Sequence, residues 1–299
     1  MSMKKNRTTR RKLPVGRILT YIVLIVYAMF VFFPIMTALV TSFIPSQELA
    51  TNTNFIWWSN NVDWDAYKAV FANDRYLELF GIPGVVLGFF NTMWITLIPL
   101  IIGLVVAGLA AFAYSKIDFP HKEGLFRFSI ILSSIPLQAF GVIRYVFFSG
   151  IGWTGDKGIF ALIIPGMFGS IFCMFFLRIF FDGIPDSLIE SAQLDGAGFF
   201  QCFFKIMVPL GKPAFIARFI FGFVAGYNSY MGPYLYLQGQ PKYITLQLYL
   251  SQIQSFFPNI GSENIWCAAI ILGILPLVVI YLFTQKYFIE GLMVGAVKG

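Results

Sequence analysis

Side chains able to do bond-making chemistry are few and scattered. His121 is the single histidine, and Cys173, Cys202 and Cys267 stand far apart with no CxxC spacing. A zinc centre needs about four nitrogen or sulfur ligands within reach, and an odd, dispersed cysteine set gives no disulfide framework. The three therefore read as small apolar residues, and no protein-held metal is expected. The phosphate-cradling pattern GxxxxGK[ST] is absent; Gly211-Lys212 is followed by Pro213 where a magnesium-binding hydroxyl would stand. No Asp or Glu falls deep in an apolar stretch, which leaves neither an acid–base pair for an embedded enzyme nor the acids of a self-sufficient ion-coupled carrier.

The polar groups that do lie in apolar stretches are of another kind: Gln138, Asn91, Tyr227, Asn228, Ser229 and Tyr230. Amides offer donors and acceptors together, matching the hydroxyls of a sugar, and aromatic faces stack on pyranose rings. The same groups can instead bond helix to helix. Arg144 is the unusual one, since a charge at a helix centre in lipid costs roughly 2.5–3.5 kcal/mol on insertion scales. It stands near one end of its stretch, so it either snorkels to headgroups or faces a cavity and favours an acidic oligosaccharide.

Composition sets the elements that must hold these residues. Of 299 residues, 58% are hydrophobic and only 12% charged, against about a quarter charged in soluble domains. That excludes soluble domains and disorder and leaves an all-α polytopic membrane protein. Apolar stretches of spanning length fall at about 18–43, 85–113, 126–149, 159–181, 214–236 and 265–288, six transmembrane helices in all. The long first stretch has no small-x-small cleavage site after it, so it reads as an uncleaved span. With both termini cytoplasmic, most of the 21 Lys and Arg fall on the inner side, including Arg127, Arg178 and Arg218 at span ends, as the positive-inside bias requires. The net charge of +7 is then a topology and lipid-headgroup signal, and no nucleic-acid partner is expected. The resulting plan is a basic N-terminus 1–17, a first span 18–43, an extracytoplasmic loop 44–84, a core of five spans over 85–288 and a cytoplasmic tail 289–299. Prolines 34, 99, 136, 165, 233 and 276 fall in the spans; each frees a carbonyl that a neighbouring helix or polar cavity must satisfy. The outer segments are rich in Trp57, Trp58, Trp64, Tyr243 and Tyr249, either an interfacial belt or a surface for an external partner.

The inner loop 182–213 reads DGIPDSLIESAQLDGAGFFQCFFKIMVPLGK. Pro185 suits a first helical turn, Leu188, Ile189 and Ala192 recur at helical spacing, and Asp195-Gly196 ends the helix in a left-handed residue. A second short helix crowds Phe199, Phe200, Phe203, Phe204 and Met207 on one face and ends before Pro209. Such a face is too aromatic to sit bare in water.

Glu190-Ser191-Ala192, then Asp195, Gly196, Ile206, Pro209 and Pro213, resemble the EAA loop of ABC-importer permease subunits. The string ESAQLDGAGFFQCFFKIMVPLGKP is similar to the carbohydrate-importer version, and the C-terminal GLMVGAVKG to the tail of the maltose-type second permease. Tyr227-Asn228-Ser229-Tyr230 resembles the W-N-x-[FY] segment of that family, with tyrosine in place of tryptophan, and Ser191 replaces an alanine. The resemblance implies a type I ABC importer permease fold, without ATPase activity of its own, in a bacterial cell membrane. It implies a heterodimer with a second homologous permease, two copies of a cytoplasmic ATPase that binds ATP and magnesium, and an extracytoplasmic sugar-binding protein. Glu190, Ser191, Ala192, Asp195, Gly196, Phe203, Ile206 and Pro209 would couple to the ATPase, with Glu190 as the charged contact. Phe203, Ile206 and Met207 would either fill the groove of the ATPase or anchor the loop to its own spans. Gln138, Arg144, Tyr227, Asn228 and Tyr230 would line the pathway of a sugar or oligosaccharide. A permease of the same architecture for another small polar solute, or a secondary transporter, is the alternative.

Overall fold

The computed structural model describes residues 15–52, 54, 56–72 and 75–296, with the side chains of 15, 137, 138 and 286–296 outside that description. Among the described residues every regular element is helical. In chain order they are α1 Val15–Thr41, α2 Ser46–Thr51, α3 Asp65–Ala72, α4 Arg75–Phe80, α5 Gly84–Lys116, α6 Lys122–Ser133, α7 Gly141–Gly150 and α8 Gly158–Met167. They continue as α9 Ile171–Phe181, α10 Ser187–Leu194, α11 Phe199–Cys202, α12 Val208–Leu210, α13 Lys212–Tyr227, α14 Met231–Leu237, α15 Leu246–Phe256 and α16 Glu263–Ala296.

Apolar content and length make Gly16–Thr41, Gly84–Lys116, Gly155–Phe181 and Glu263–Gln285 spanning segments, and the run Phe199–Leu210 with Lys212–Tyr227 passes jointly across an 80° bend. The stretch 126–149 is helical in pieces. Pro136 disfavours helix at the residue before it, and the Ser133 and Ser134 hydroxyls both donate to the Ile130 carbonyl; the chain leaves α6 and resumes through a 3-10 turn at Leu137–Phe140. Helix α16 runs unbroken to Ala296, so the backbone expected as a separate tail from 289 continues the last span. The basic segment 1–14 and residues 297–299 lie outside the described residues.

Helix α5 is the hub, packing on α8, α9, α13 and α15. Its small residues allow this: Ala107, Gly108 and Ala111 are buried, and a Cβ on Gly103 would strike the Gly166 carbonyl of α8. Close backbone approach of this kind is how helices associate without a hydrophobic driving force between them. Two apolar cores result. One gathers Phe112, Leu177, Phe181, Phe203 and Met207 at the end carrying the 182–213 loop. The other gathers Phe223, Tyr227, Leu246, Tyr249 and Ala268 toward the opposite end. Helix α1 packs on α16 and otherwise exposes its length, from Leu19 through Phe33.

Candidate functional site

The 182–213 loop is a knob whose shape follows from local chemistry. Helix α10 closes at Asp195, and Gly196 adopts φ +85°. The Ala197 N–H then donates to the Ala192 carbonyl and the Gly196 N–H to that of Gln193, a Schellman closure that needs the left-handed glycine. The following helix differs from the expected one. It does not stop before Pro209 but widens into a π turn at Phe203–Met207 and continues through α12 to Leu210. A widened turn leaves room for a proline ring that would collide with the carbonyl four residues back in an α-helix.

The aromatic face also divides. Phe203 and Met207 are fully buried, and Phe199 lies 4.9 Å from the Phe112 ring of α5. Ile206 is half-buried in the same core. Of the two expectations for this group, the geometry is that of an anchor onto the protein's own helices. What stays open is a second face: Leu194 at 89%, Phe200 at 63% and Phe204 at 50% exposed, beside Leu188. Glu190, Ser191, Asp195, Gly196 and Pro209 are exposed with it, and Ala192 is half-buried.

Charged groups bind the knob to the spans, and sequence reasoning missed them. Lys116, in the last turn of α5, has a side chain only 3% exposed. Its Nζ donates to the Ile184 carbonyl at 2.5 Å and to Asp186 Oδ1 at 2.6 Å. Ser115 Oγ donates to Asp182 at 2.6 Å. Arg178 of α9 pairs with Glu123 of α6 at 2.7 Å and Asp182 at 3.7 Å while lying over Phe126. A lysine closing a long apolar helix and acids flanking Pro185 were visible signals; their pairing across the chain was not.

The second site is a groove between α5, α8, α9 and α13, made of two adjoining cavities of ≈250 and ≈210 Å³ that share Pro99, Leu100, Gly166 and Gly222. One lost helical hydrogen bond and one break in a helix create it. Pro99 removes the hydrogen bond to the Ile95 carbonyl, and the chain unwinds between α8 and α9 at Gly169, φ +75°. Irregular backbone in a spanning segment is tolerated where it lines a cavity. Hydroxyls of Thr92, Thr96, Ser229, Thr245 and Ser170 line the groove. Thr92 accepts from the Leu246 N–H, whereas Thr245 Oγ1 is buried without a partner. Beyond Thr245, Lys242 pairs with Asp156 at 3.3 Å; its hydrogen bond with Tyr243, then Asp156, holds the ammonium above the ordinary lysine range.

Of the expected pathway residues, Tyr227 lies in the interior. It is completely buried against α16, and its hydroxyl donates to the Gly273 carbonyl at 2.8 Å. It is a packing residue because position 227 faces the second core. Asn91 is likewise structural: its amide donates to the carbonyls of Lys242 and Ile244 and accepts from Trp94. Asn228 and Tyr230 are exposed in the break between α13 and α14, Asn228 meeting Gln247 at 3.4 Å and Tyr230 stacked on Tyr234. Arg144 is exposed on α7 among Val142, Ile143 and Phe147 and lines neither cavity. The Gln138 side chain lies outside the described residues.

Comparison with known proteins places this geometry. The arabinooligosaccharide transport permease of Bacillus subtilis is 30% identical over 272 residues, covering 89% of this chain and 90% of its own. The polygalacturonan/rhamnogalacturonan transport permease of the same bacterium is 28% identical, covering 94% and 97%. A chain of a bacterial ABC transporter involved in import of the acidic polysaccharide alginate superposes with TM-score 0.77 over 96% of this chain and all of its own, at 21% identity. The family model for the inner membrane component of binding-protein-dependent transport systems matches residues 100–293. The chain is therefore a multi-pass membrane protein of that family, a permease subunit of an ABC importer.

Proposed function

We propose that the chain forms half of the translocation pathway of an ATP-driven importer of sugars or oligosaccharides. It pairs with a second homologous permease, over two copies of a cytoplasmic ATPase that binds ATP and magnesium. An extracytoplasmic sugar-binding protein delivers the solute, and both termini lie on the cytoplasmic side with the knob. The curated relatives support the solute class through their oligosaccharide and polysaccharide names. The hydroxyl-lined groove supports it too, since hydroxyls exchange hydrogen bonds readily with a polyol. One solved structure of the fold, a bacterial alginate ABC transporter, is in complex with a periplasmic protein that carries an alginate pentasaccharide.

The observation that carries the reading is the knob. Its open face joins exposed Leu194, Phe200 and Phe204 to the carboxylate of Glu190, while its other face is bolted to α5 through Lys116 and Phe203. A partner pressing the open face would move the ends of α5, α9 and α13 as one body. Alternating access follows: closure of the ATPase pair rocks the spans outward to accept the solute, and hydrolysis resets them inward. Glu190 supplies the charged contact with the ATPase, with Ser191, Ala192, Asp195, Gly196 and Pro209 shaping the docking edge. Glu190→Ala is expected to abolish binding-protein-dependent uptake with membrane insertion and permease pairing intact. Full transport by this variant would refute the docking role.

A further inference from the structure

Arg218 is the single charged side chain among the described residues that line the groove. It stands on α13, with the guanidinium carbon 5.1 Å from the centre of the Phe172 ring and 5.9 Å from that of Phe176. Its Nε is buried and has no hydrogen-bond partner. None of the ion pairs among the described residues includes it, and no acidic side chain lines either cavity. The unwound turn beside it starts α9, whose first N–H groups carry a positive partial charge; the Ser170 hydroxyl answers one of them, from Cys173. The one charged side chain and the helix start in this cavity are thus both positive.

A cation held in a spanning segment without a counter-charge is costly, and such residues face cavities and mark pathways. The guanidinium lies beside the rings of Phe172 and Phe176, and Arg218 is among the residues that line the cavity. A guanidinium fork matches a carboxylate in two parallel bonds.

We propose that Arg218 is the groove's recognition point for a carboxylate-bearing oligosaccharide. The assignment rests on the importer reading above and narrows it to acidic sugars. The test compares initial uptake of oligogalacturonate with that of a neutral galacto-oligosaccharide of matched length. The full transporter and its binding protein are reconstituted in phosphatidylcholine vesicles, which hold no anionic headgroup to compete. Arg218→Gln is expected to lower oligogalacturonate uptake roughly tenfold or more, the scale of a lost charge-assisted hydrogen bond, with neutral uptake changed by less than about twofold on the same reasoning. Arg218→Lys, which keeps the charge but loses the two-bond fork, should leave acidic uptake between that of the wild type and that of the Gln variant. If the wild type carries the acidic sugar alone, a loss in the Gln variant with an intermediate loss in the Lys variant gives the same support. Equal losses on both sugars, no loss on either, or a wild type that carries only the neutral sugar would overturn the assignment and leave the importer reading standing. A wild type that carries no oligosaccharide would overturn both.

Discussion

Arg178 and Arg218 both lie over phenylalanine rings, at 3.8 Å to Phe126 and 5.1 Å to Phe172. Around Arg178, at the knob end, Glu123 and Asp182 complete an ion-pair set joining α6 and α9. Each arginine keeps one buried nitrogen without a hydrogen-bond partner, Nη1 of Arg178 and Nε of Arg218, but around Arg218 no carboxylate stands among the described residues that line the groove. The same side chain on neighbouring helices is therefore a rivet in one region and an open receptor in the other. The difference lies in what surrounds it: the knob end is rich in acids exposed at one edge, whereas the groove is built from glycines, prolines and hydroxyls. Mechanical connection asks for satisfied charges that lock elements together. A pathway asks for polar groups left over.

If that contrast holds, perturbing a rivet should disable the machine while perturbing a satisfied core contact near the groove should barely register. Lys116→Met is the sharpest case. It leaves the buried Ile184 carbonyl without its donor and Asp186 without its cation, a loss of about 1.5–3 kcal/mol for a hydrogen bond to a charged group. That is large for one small loop. We expect uptake and ATPase co-purification to fall together by at least about tenfold, since 1.4 kcal/mol is a factor of ten. Normal co-purification with normal uptake would break the comparison from the knob side. Tyr227→Phe lies at the small end. It removes the donor to the Gly273 carbonyl and should cost about 1 kcal/mol, read as a modest fall in thermal stability, with uptake unchanged. A loss of uptake without a loss of stability would restore Tyr227 to the pathway.

How much of this was legible in the sequence depended on whether a feature is local. The Schellman stop at Gly196 could be read, because the left-handed residue and its two hydrogen bonds involve neighbours only. The all-helical fold could be read from apolar run length. The third span could not be read as broken, because proline lowers helix stability without saying whether packing will bridge it: Pro99 leaves α5 continuous, whereas the chain interrupts at Pro136. The direction of Tyr227 was invisible for a related reason. Adjacent positions at the end of a helix differ by about 100° in azimuth, so one faces α16 and the next faces solvent. Arg218 was counted with Arg178 as an inner span-end charge. Only the arrangement of α9 and α13 separates the paired arginine from the unpaired one. The division of the phenylalanines between a buried and an exposed face likewise required knowing where Phe112 of α5 comes to rest.

The central claim, that the exposed face of the knob is where the ATPase engages, is tested most directly by placing a reporter at its most exposed large apolar residue, Leu194. In the assembled transporter, Leu194→Cys should cross-link to the ATPase, and the yield should change when ATP hydrolysis is trapped with vanadate. Cys173 and Cys202 are buried, so Cys267 alone need be replaced to keep the background low. The account predicts that Leu194→Cys is shielded from a bulky maleimide in the complex and reactive in the permease pair alone. Equal reactivity in the two states, with no cross-link to the ATPase, would contradict it.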